Sequence, residues 1–195
     1  MRKHLALLAA LSLLLTAAPR FGTAKPDPDK PATDKTDKAD AKTGEAEKTP
    51  EAPKLDWLAL DAATAKAKSQ NKHVIVNVYA TWCGYCKMMD KQTFGNAEVA
   101  TSLRDNFVLA KVNGESSAKV HWQGQEMTER QFARAVGVNG YPATFFLKPN
   151  AEMLGGVSGY IRTPEFLVYA NYVSTRWYEK GKIQQYVDSL RAAAK

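Results

Sequence analysis

The chain has two cysteines, Cys83 and Cys86, which lie three residues apart in the stretch YATWCGYCKMMD. Two thiols at this spacing can bind a metal, form a structural disulfide, or form a disulfide that opens and closes in a redox reaction. A structural zinc site needs four Cys or His ligands, usually as two spaced pairs. His73 and His121 are not at ligand-pair spacing, so we expect no metal.

A purely structural disulfide is also poorly supported, because the stabilisation that a disulfide gives grows with loop length and this loop is very short. The redox alternative fits the surroundings better. Cys83 follows an apolar run and begins a helical pattern, and unpaired N–H groups at a helix N-terminus favour the thiolate. We predict that Cys83 attacks a partner sulfur and that Cys86, more buried, resolves the mixed disulfide. Lys87 either adds to the positive field or is simply solvated.

The first predicted element of the folded region is a helix over residues 55–72. Good helix formers fill this segment. Four apolar residues near helical spacing are predicted to face the core: Leu55, Leu58, Ala62 and Ala65.

Two apolar runs, residues 73–80 and 107–114, predict buried strands. The segment between them is helical in pattern, with an interruption near Gly95. Helix, strand, helix and strand in this order predict a βαβ unit with a parallel strand pair.

The second half of the chain begins with residues 115–125, which we predict to be a loop. A short helix follows over residues 127–138 with Thr128 as its N-cap. Three of its residues are predicted to face inward: Phe132, Ala135 and Val136.

Two β-like stretches, residues 143–147 and 152–160, are joined by a Pro-Asn turn and predict a hairpin. Thr163, which is followed by Pro and Glu, is predicted to cap the next helix. A last helix is expected over residues 183–193, and most aromatic rings of the segment 167–190 are predicted to pack in the core.

The N-terminal region differs in composition from the rest. A basic start and an apolar run of about 14 residues predict a cleaved signal peptide over residues 1–24. Residues 25–53 lack large apolar side chains and predict a disordered linker. One domain, residues 54–195, would follow. We therefore expect a periplasmic or secreted protein, with an N-terminal membrane anchor as the alternative.

The net charge is +7. The basic residues of the predicted domain are spread along it, which indicates solubility and mild attraction of acidic partners. No nucleic-acid-binding module is evident.

The motif WCGYCK after an apolar strand, followed downstream by GVNGYPATFFL, resembles the thioredoxin superfamily. The similarity covers most of residues 55–190 and extends to exported bacterial thioredoxin-like proteins, including the C-terminal domain of the periplasmic disulfide-interchange reductase. It implies an α/β, thioredoxin-like fold with a central mixed sheet flanked by helices.

The resemblance implies that Cys83 is the nucleophile and Cys86 the resolving thiol. Trp82 would flank the disulfide, and Pro142 would be the family's cis-proline lying against it. Tyr141 would present its backbone to a substrate strand. Gly84 and Tyr85, between the cysteines, would shape thiolate stability and the reduction potential, but this dipeptide does not reveal the direction of electron flow.

One departure from thioredoxin concerns the proton of the resolving thiol. Thioredoxin keeps a buried Asp six residues before its first cysteine, and this chain has Asn77 there. An amide cannot accept that proton, so either water, Lys111 or Glu115 would accept it, or the step would be slower. Lys111 matches the family's lysine on the following strand, where it needs a partner or access to solvent.

The function that the resemblance implies is disulfide reduction in envelope proteins, with no cofactor beyond the disulfide itself. The partners would be disulfide-containing proteins and a membrane thiol carrier that supplies electrons, and we expect a monomer. The alternatives are a disulfide oxidase or isomerase and a non-catalytic binding or chaperone module.

Overall fold

The computed structural model describes residues 52–194. The predicted signal peptide and nearly all of the predicted linker therefore lie outside the described residues. Within this range a mixed five-stranded sheet is flanked by helices on both faces, which confirms the predicted fold class. The elements in chain order are β1 (Trp57–Leu58), α1 (Leu60–Gln70), β2 (His73–Tyr79), α2 (Gly84–Met89), a π turn (Asp90–Phe94), α3 (Ala97–Asn106), β3 (Phe107–Asn113), β4 (Lys119–Trp122), β5 (Gln125–Thr128), α4 (Glu129–Ala135), β6 (Ala143–Leu147), β7 (Met153–Ser158), α5 (Thr163–Ser174), a 3-10 turn (Trp177–Glu179) and α6 (Ile183–Ala193).

The strands of the main sheet are ordered β1-β3-β2-β6-β7. Strands β2 and β3 run parallel, as predicted, and the helical segment between them is interrupted near Gly95. Strands β6 and β7 form the predicted antiparallel hairpin, and β6 also pairs antiparallel with β2. The central position of β2 places the segment that follows it, which carries both cysteines, at the middle of one sheet edge.

Side chains of β2 alternate between two cores because successive residues of a strand point to opposite faces. Val74, Val76 and Val78 pack into the core that also contains α1 and α4 residues. Ile75 packs into the opposite core, with residues of α3 and α5. Asn77 has the same parity as Ile75 and therefore lies on the face covered by α2 and α5.

The first helix begins later than predicted. Residues 57 and 58 form a short edge strand that pairs in parallel with β3, so they are not helical. The helix starts at Leu60, and its buried positions are Leu60, Ala63 and Ala67. The predicted inward positions Ala62 and Ala65 face solvent. Pairing of the strand sets this start, and helix propensity alone cannot reveal it.

The prediction of a loop over residues 115–125 was wrong. Strands β4 and β5 form a separate antiparallel hairpin there, with Val120 and Trp122 buried. Its two turn residues, Gln123 and Gly124, both have positive φ, at 51° and 80°. Gln is an unusual residue for that conformation, which is why the usual Asn-Gly or Asp-Gly signal of such a turn is missing.

Helix α4 begins with the predicted cap. The Thr128 hydroxyl accepts the Gln131 N–H at 3.1 Å, and the Gln131 side chain accepts the Thr128 N–H at 2.7 Å, which completes a capping box. Phe132 is buried as predicted, but Ala133 is the second buried residue of the helix and Ala135 is exposed. Val136, which directly follows the helix, is partly buried and packs against the same core as predicted.

We expect Thr128→Ala to lower the free energy of unfolding by about 1 kcal/mol, because two N–H groups lose their capping arrangement. Urea denaturation monitored by circular dichroism measures this. Thr101→Ala, at an exposed position inside α3, is the matched control and should leave the free energy nearly unchanged. Equal effects of the two substitutions would contradict the role of the cap.

Thr163 is the first residue of α5, and the N-cap is Arg162, which contradicts the predicted cap. The Thr163 hydroxyl instead donates to the Gln92 carbonyl at 3.0 Å, so it ties α5 to the π turn after α2.

Several aromatic rings of the segment 167–190 pack against each other, half-buried for the most part, with ring centroids 5.5–6.4 Å apart. Within residues 52–194, no helix has the length and apolar character needed to cross a bilayer.

Candidate active site

Cys83 and Cys86 form a disulfide at the start of α2. Cys83 is the N-cap residue of this helix, and its sulfur accepts the Cys86 N–H at 3.0 Å. The chain turns from β2 into α2 through Ala80, which is buried against the two cysteines. The geometry thus brings the unpaired N–H groups of the helix start to the sulfur of Cys83, where they stabilise negative charge.

The structure contradicts the prediction that Cys86 is more buried than Cys83. Their exposed fractions are 3% for Cys83 and 5% for Cys86, because both pack under the same cover of Tyr79, Ala80 and Tyr141. Burial therefore does not distinguish the two sulfurs. The N-cap hydrogen bond does distinguish them, because the Cys83 sulfur accepts it and the Cys86 sulfur does not.

Three large side chains around the disulfide are unusually exposed. Trp82 is 66% exposed, Tyr85 63% and Met88 40%. Exposed apolar side chains grouped on one face are typical of a surface that contacts other proteins. Apart from its chain neighbours, Gly84 has no heavy atom within 4 Å of the position that a Cβ would take, so the surface at this residue is open.

The segment before β6 reaches the disulfide from the other side. The Tyr141–Pro142 peptide bond is cis, and the Tyr141 ring meets the Trp82 ring edge to face at 6.0 Å. Burial, followed by the negative charge of Glu115, raises the pKa of the Tyr141 phenol above its usual value. Tyr141 is therefore neutral at physiological pH and keeps its hydroxyl proton.

Asn77 is buried behind the active-site helix, and its side-chain amide nitrogen has no hydrogen-bond partner within residues 52–194. Its neighbour across the parallel pair is Lys111. The Lys111 ammonium donates to both carboxylate oxygens of Asp90 at 2.7 Å, and it also lies over the rings of Trp57 and Tyr79. The lysine thus has the partner that it needs on this strand.

Asp90 was not among the residues predicted from the sequence. It follows Cys86 by four residues, and its N–H donates to the Cys86 carbonyl, so the two side chains are neighbours on one helix face. A carboxylate one turn after a CxxC motif could have been noticed from the spacing alone. Its pairing with Lys111 could not, because that contact joins two elements distant in sequence.

The remaining predicted residues lie around the same site. Glu115 accepts the Trp82 indole N–H at 2.8 Å, so it belongs to the surface next to Trp82. Lys87 is exposed on α2 and makes no ion pair within the described part of the chain. Among residues 52–194, no group of three or more His, Cys, Asp or Glu side chains could hold a metal ion.

The sequence of this chain is similar to those of several known proteins. The chain is similar to an uncharacterized protein of Caenorhabditis elegans, with 28% identity over 66% of this chain and 18% of that protein. It is similar to the thiol:disulfide interchange protein DsbD of Cronobacter sakazakii, with 31% identity over 56% of this chain and 18% of that protein. The chain therefore spans less than a fifth of the length of these curated relatives.

Among solved structures, the chain resembles a thioredoxin from Thermus thermophilus, with a TM-score of 0.51 and 27% identity over 61% of this chain and 86% of that one. A family model described as "Thioredoxin-like domain" matches residues 60–174, which is more than half of the chain. This protein belongs to the thioredoxin-like domain family.

Proposed function

We propose that this protein is a thiol-disulfide oxidoreductase that reduces disulfides in other proteins. The observation that carries the proposal is the Cys83–Cys86 disulfide at the start of α2, with the Cys83 sulfur accepting the Cys86 N–H and exposed Trp82 and Tyr85 beside it. An N-cap sulfur favours the thiolate when the disulfide is reduced, and the thiolate is the nucleophile. The exposed rings give a substrate protein a surface to dock on.

The reaction begins with the reduced protein. The Cys83 thiolate attacks one sulfur of a substrate disulfide, which forms a mixed disulfide and releases the other substrate sulfur as a thiolate. The Cys86 thiolate then attacks the Cys83 sulfur, releases the second substrate sulfur and forms the Cys83–Cys86 disulfide. Two electrons pass to the substrate, and its two sulfurs take up two protons.

The proton of Cys86 has to leave before the second attack. Asp90 lies one turn after Cys86, where α2 continues into the π turn, and Lys111 holds its carboxylate at 2.7 Å. We assign to Asp90 the role of accepting this proton, which the amide of Asn77 cannot accept. The acid that thioredoxin carries on the strand is thus supplied here by the active-site helix.

We propose that the protein works in an oxidising compartment outside the cytoplasm. Residues 1–24, acting as a signal peptide, would direct it there. A reductant in such a compartment needs an electron source, and a membrane thiol carrier is the proposed donor. The likeness to a protein named as a thiol:disulfide interchange protein supports this direction. The proposed substrates are disulfide-containing envelope proteins.

Reduction of insulin by dithiothreitol tests the activity. The protein should accelerate the precipitation of the insulin B chain well beyond the rate with dithiothreitol alone. Bovine serum albumin at the same concentration is the control for nonspecific effects. A rate equal to that of dithiothreitol alone would rule out the proposed activity.

The reduction potential of the Cys83–Cys86 pair tests the direction. Equilibration with glutathione or dithiothreitol buffers should give a reduction potential of about −270 mV for a reductant. A reduction potential of about −120 mV would instead show an oxidant, which forms disulfides in its substrates. If the folded protein shows no redox activity at all, the result would indicate a non-catalytic binding module.

A further inference from the structure

A polar groove opens next to the disulfide, with a volume of about 630 Å³. Trp82 stands at one side, and Tyr141 and Gly140 at another. The Tyr141 ring packs over Gly114 so closely that a Cβ at Gly114 would lie 2.4 Å from the Tyr141 hydroxyl oxygen. The groove therefore has an aromatic wall that runs directly to the residues covering Cys83 and Cys86.

Three charged side chains line this groove, and two of them are already engaged. The Glu115 carboxylate accepts the Trp82 indole N–H at 2.8 Å. The Arg130 guanidinium donates to the Glu115 carbonyl at 2.5 and 3.2 Å. These contacts hold the turn after β3 against α4 and fix the shape of the groove.

The third charged side chain, Arg134, is one turn further along α4 and also lines the groove. Within residues 52–194 its guanidinium takes part in none of the ion pairs and none of the side-chain hydrogen bonds. Its donors are therefore available to a bound molecule. Since Arg130 and Arg134 outnumber Glu115, the groove carries an excess of positive charge.

We propose that Arg134 binds a carboxylate side chain of the polypeptide substrate, so that the protein prefers disulfides with an Asp or Glu nearby. A guanidinium offers two parallel N–H donors that match the two oxygens of a carboxylate. Trp82 immediately precedes Cys83, and Tyr141 packs on both cysteines, so a chain whose cysteine reaches Cys83 passes this groove within a few residues. The inference rests on the proposed reductase activity and names the substrate class of that site.

The test uses three synthetic peptides that carry the same internal disulfide and differ at one position beside it, which is Glu, Gln or Lys. Each is mixed with the reduced full-length protein, and the second-order rate constant is measured and divided by the rate constant with dithiothreitol. This division removes differences in the intrinsic reactivity of the peptides. The Glu peptide should react about threefold to tenfold faster than the Gln peptide at low salt, and the difference should shrink as salt rises.

Arg134→Gln should remove the preference for Glu over Gln, and Arg134→Glu should favour the Lys peptide. Arg191→Gln, on the exposed face of α6 and outside the groove, is the matched control and should retain the preference. Equal rates of wild type with all three peptides, or a preference that survives in Arg134→Gln, would overturn the inference. If no peptide reacts with the reduced protein, the reductase activity itself is wrong, so the two failures are distinguishable.

Discussion

Replacing Cys83 with Ser is expected to abolish the acceleration of insulin reduction, leaving only the rate of dithiothreitol itself. The proposed reaction starts at the Cys83 sulfur, and a hydroxyl does not exchange with disulfides under these conditions. The substitution suits the local structure, because Ser is a favoured N-cap residue and its oxygen can accept the Cys86 N–H that the sulfur accepts now. Loss of activity would therefore report the missing sulfur and not a damaged helix.

Cys86→Ser should behave differently from Cys83→Ser. With Cys83 present and its resolving partner absent, the first step still occurs and the second cannot, so substrate proteins should accumulate as mixed disulfides. Non-reducing electrophoresis would show adducts that dithiothreitol removes. The double variant Cys83→Ser/Cys86→Ser is the control and should trap nothing. Adducts that form with Cys83→Ser and not with Cys86→Ser would reverse the roles assigned to the two cysteines.

The sequence was informative where a single segment determines the structure. The runs at residues 73–80 and 107–114 are apolar in nearly every position because β2 and β3 are buried on both faces, and they became parallel neighbours as predicted. Thr128 could be predicted as an N-cap because a capping box is local. The position of both cysteines after a strand and at the start of a helix follows from the same local patterns.

The predictions failed where distant segments decide the structure. Residues 57 and 58 are a strand only because β3 offers them an edge, and the hairpin of β4 and β5 turns through a Gln that gives no turn signal. In the site, the contact of Asp90 with Lys111 joins the π turn after α2 to β3, and the contact of Trp82 with Glu115 joins two loops. Such contacts depend on tertiary packing, which cannot be inferred from the periodicity of a single sequence.

Asp90→Asn is expected to slow the second step of the reaction, the release of substrate from the mixed disulfide, without preventing the first. Asn has nearly the shape of Asp but cannot accept the Cys86 proton, so the proton must pass to water or hydroxide. A general base typically contributes about 10²-fold or more, and we expect a loss near the lower end because Asp90 lies in an open cleft from which solvent can assist.

The pH dependence separates the loss of a base from a general disturbance. The wild-type rate of substrate release should change little between pH 6 and about pH 8, because the Asp90 carboxylate takes the Cys86 proton in place of hydroxide, whereas the rate of Asp90→Asn should rise by about tenfold per pH unit as hydroxide takes over. Stopped-flow measurement of thiol release from a preformed mixed disulfide with Cys83 would follow this step directly.

Lys111→Gln is the variant that tells the two roles of Asp90 apart. It breaks the same ion pair, at 2.7 Å, but leaves the carboxylate one turn after Cys86. If the carboxylate is the base, Lys111→Gln should keep most of the rate and the flat pH profile that Asp90→Asn loses. If both variants show the same slow and steep profile, the ion pair acts by holding β3 against the active-site helix, and the proton of Cys86 leaves by another route.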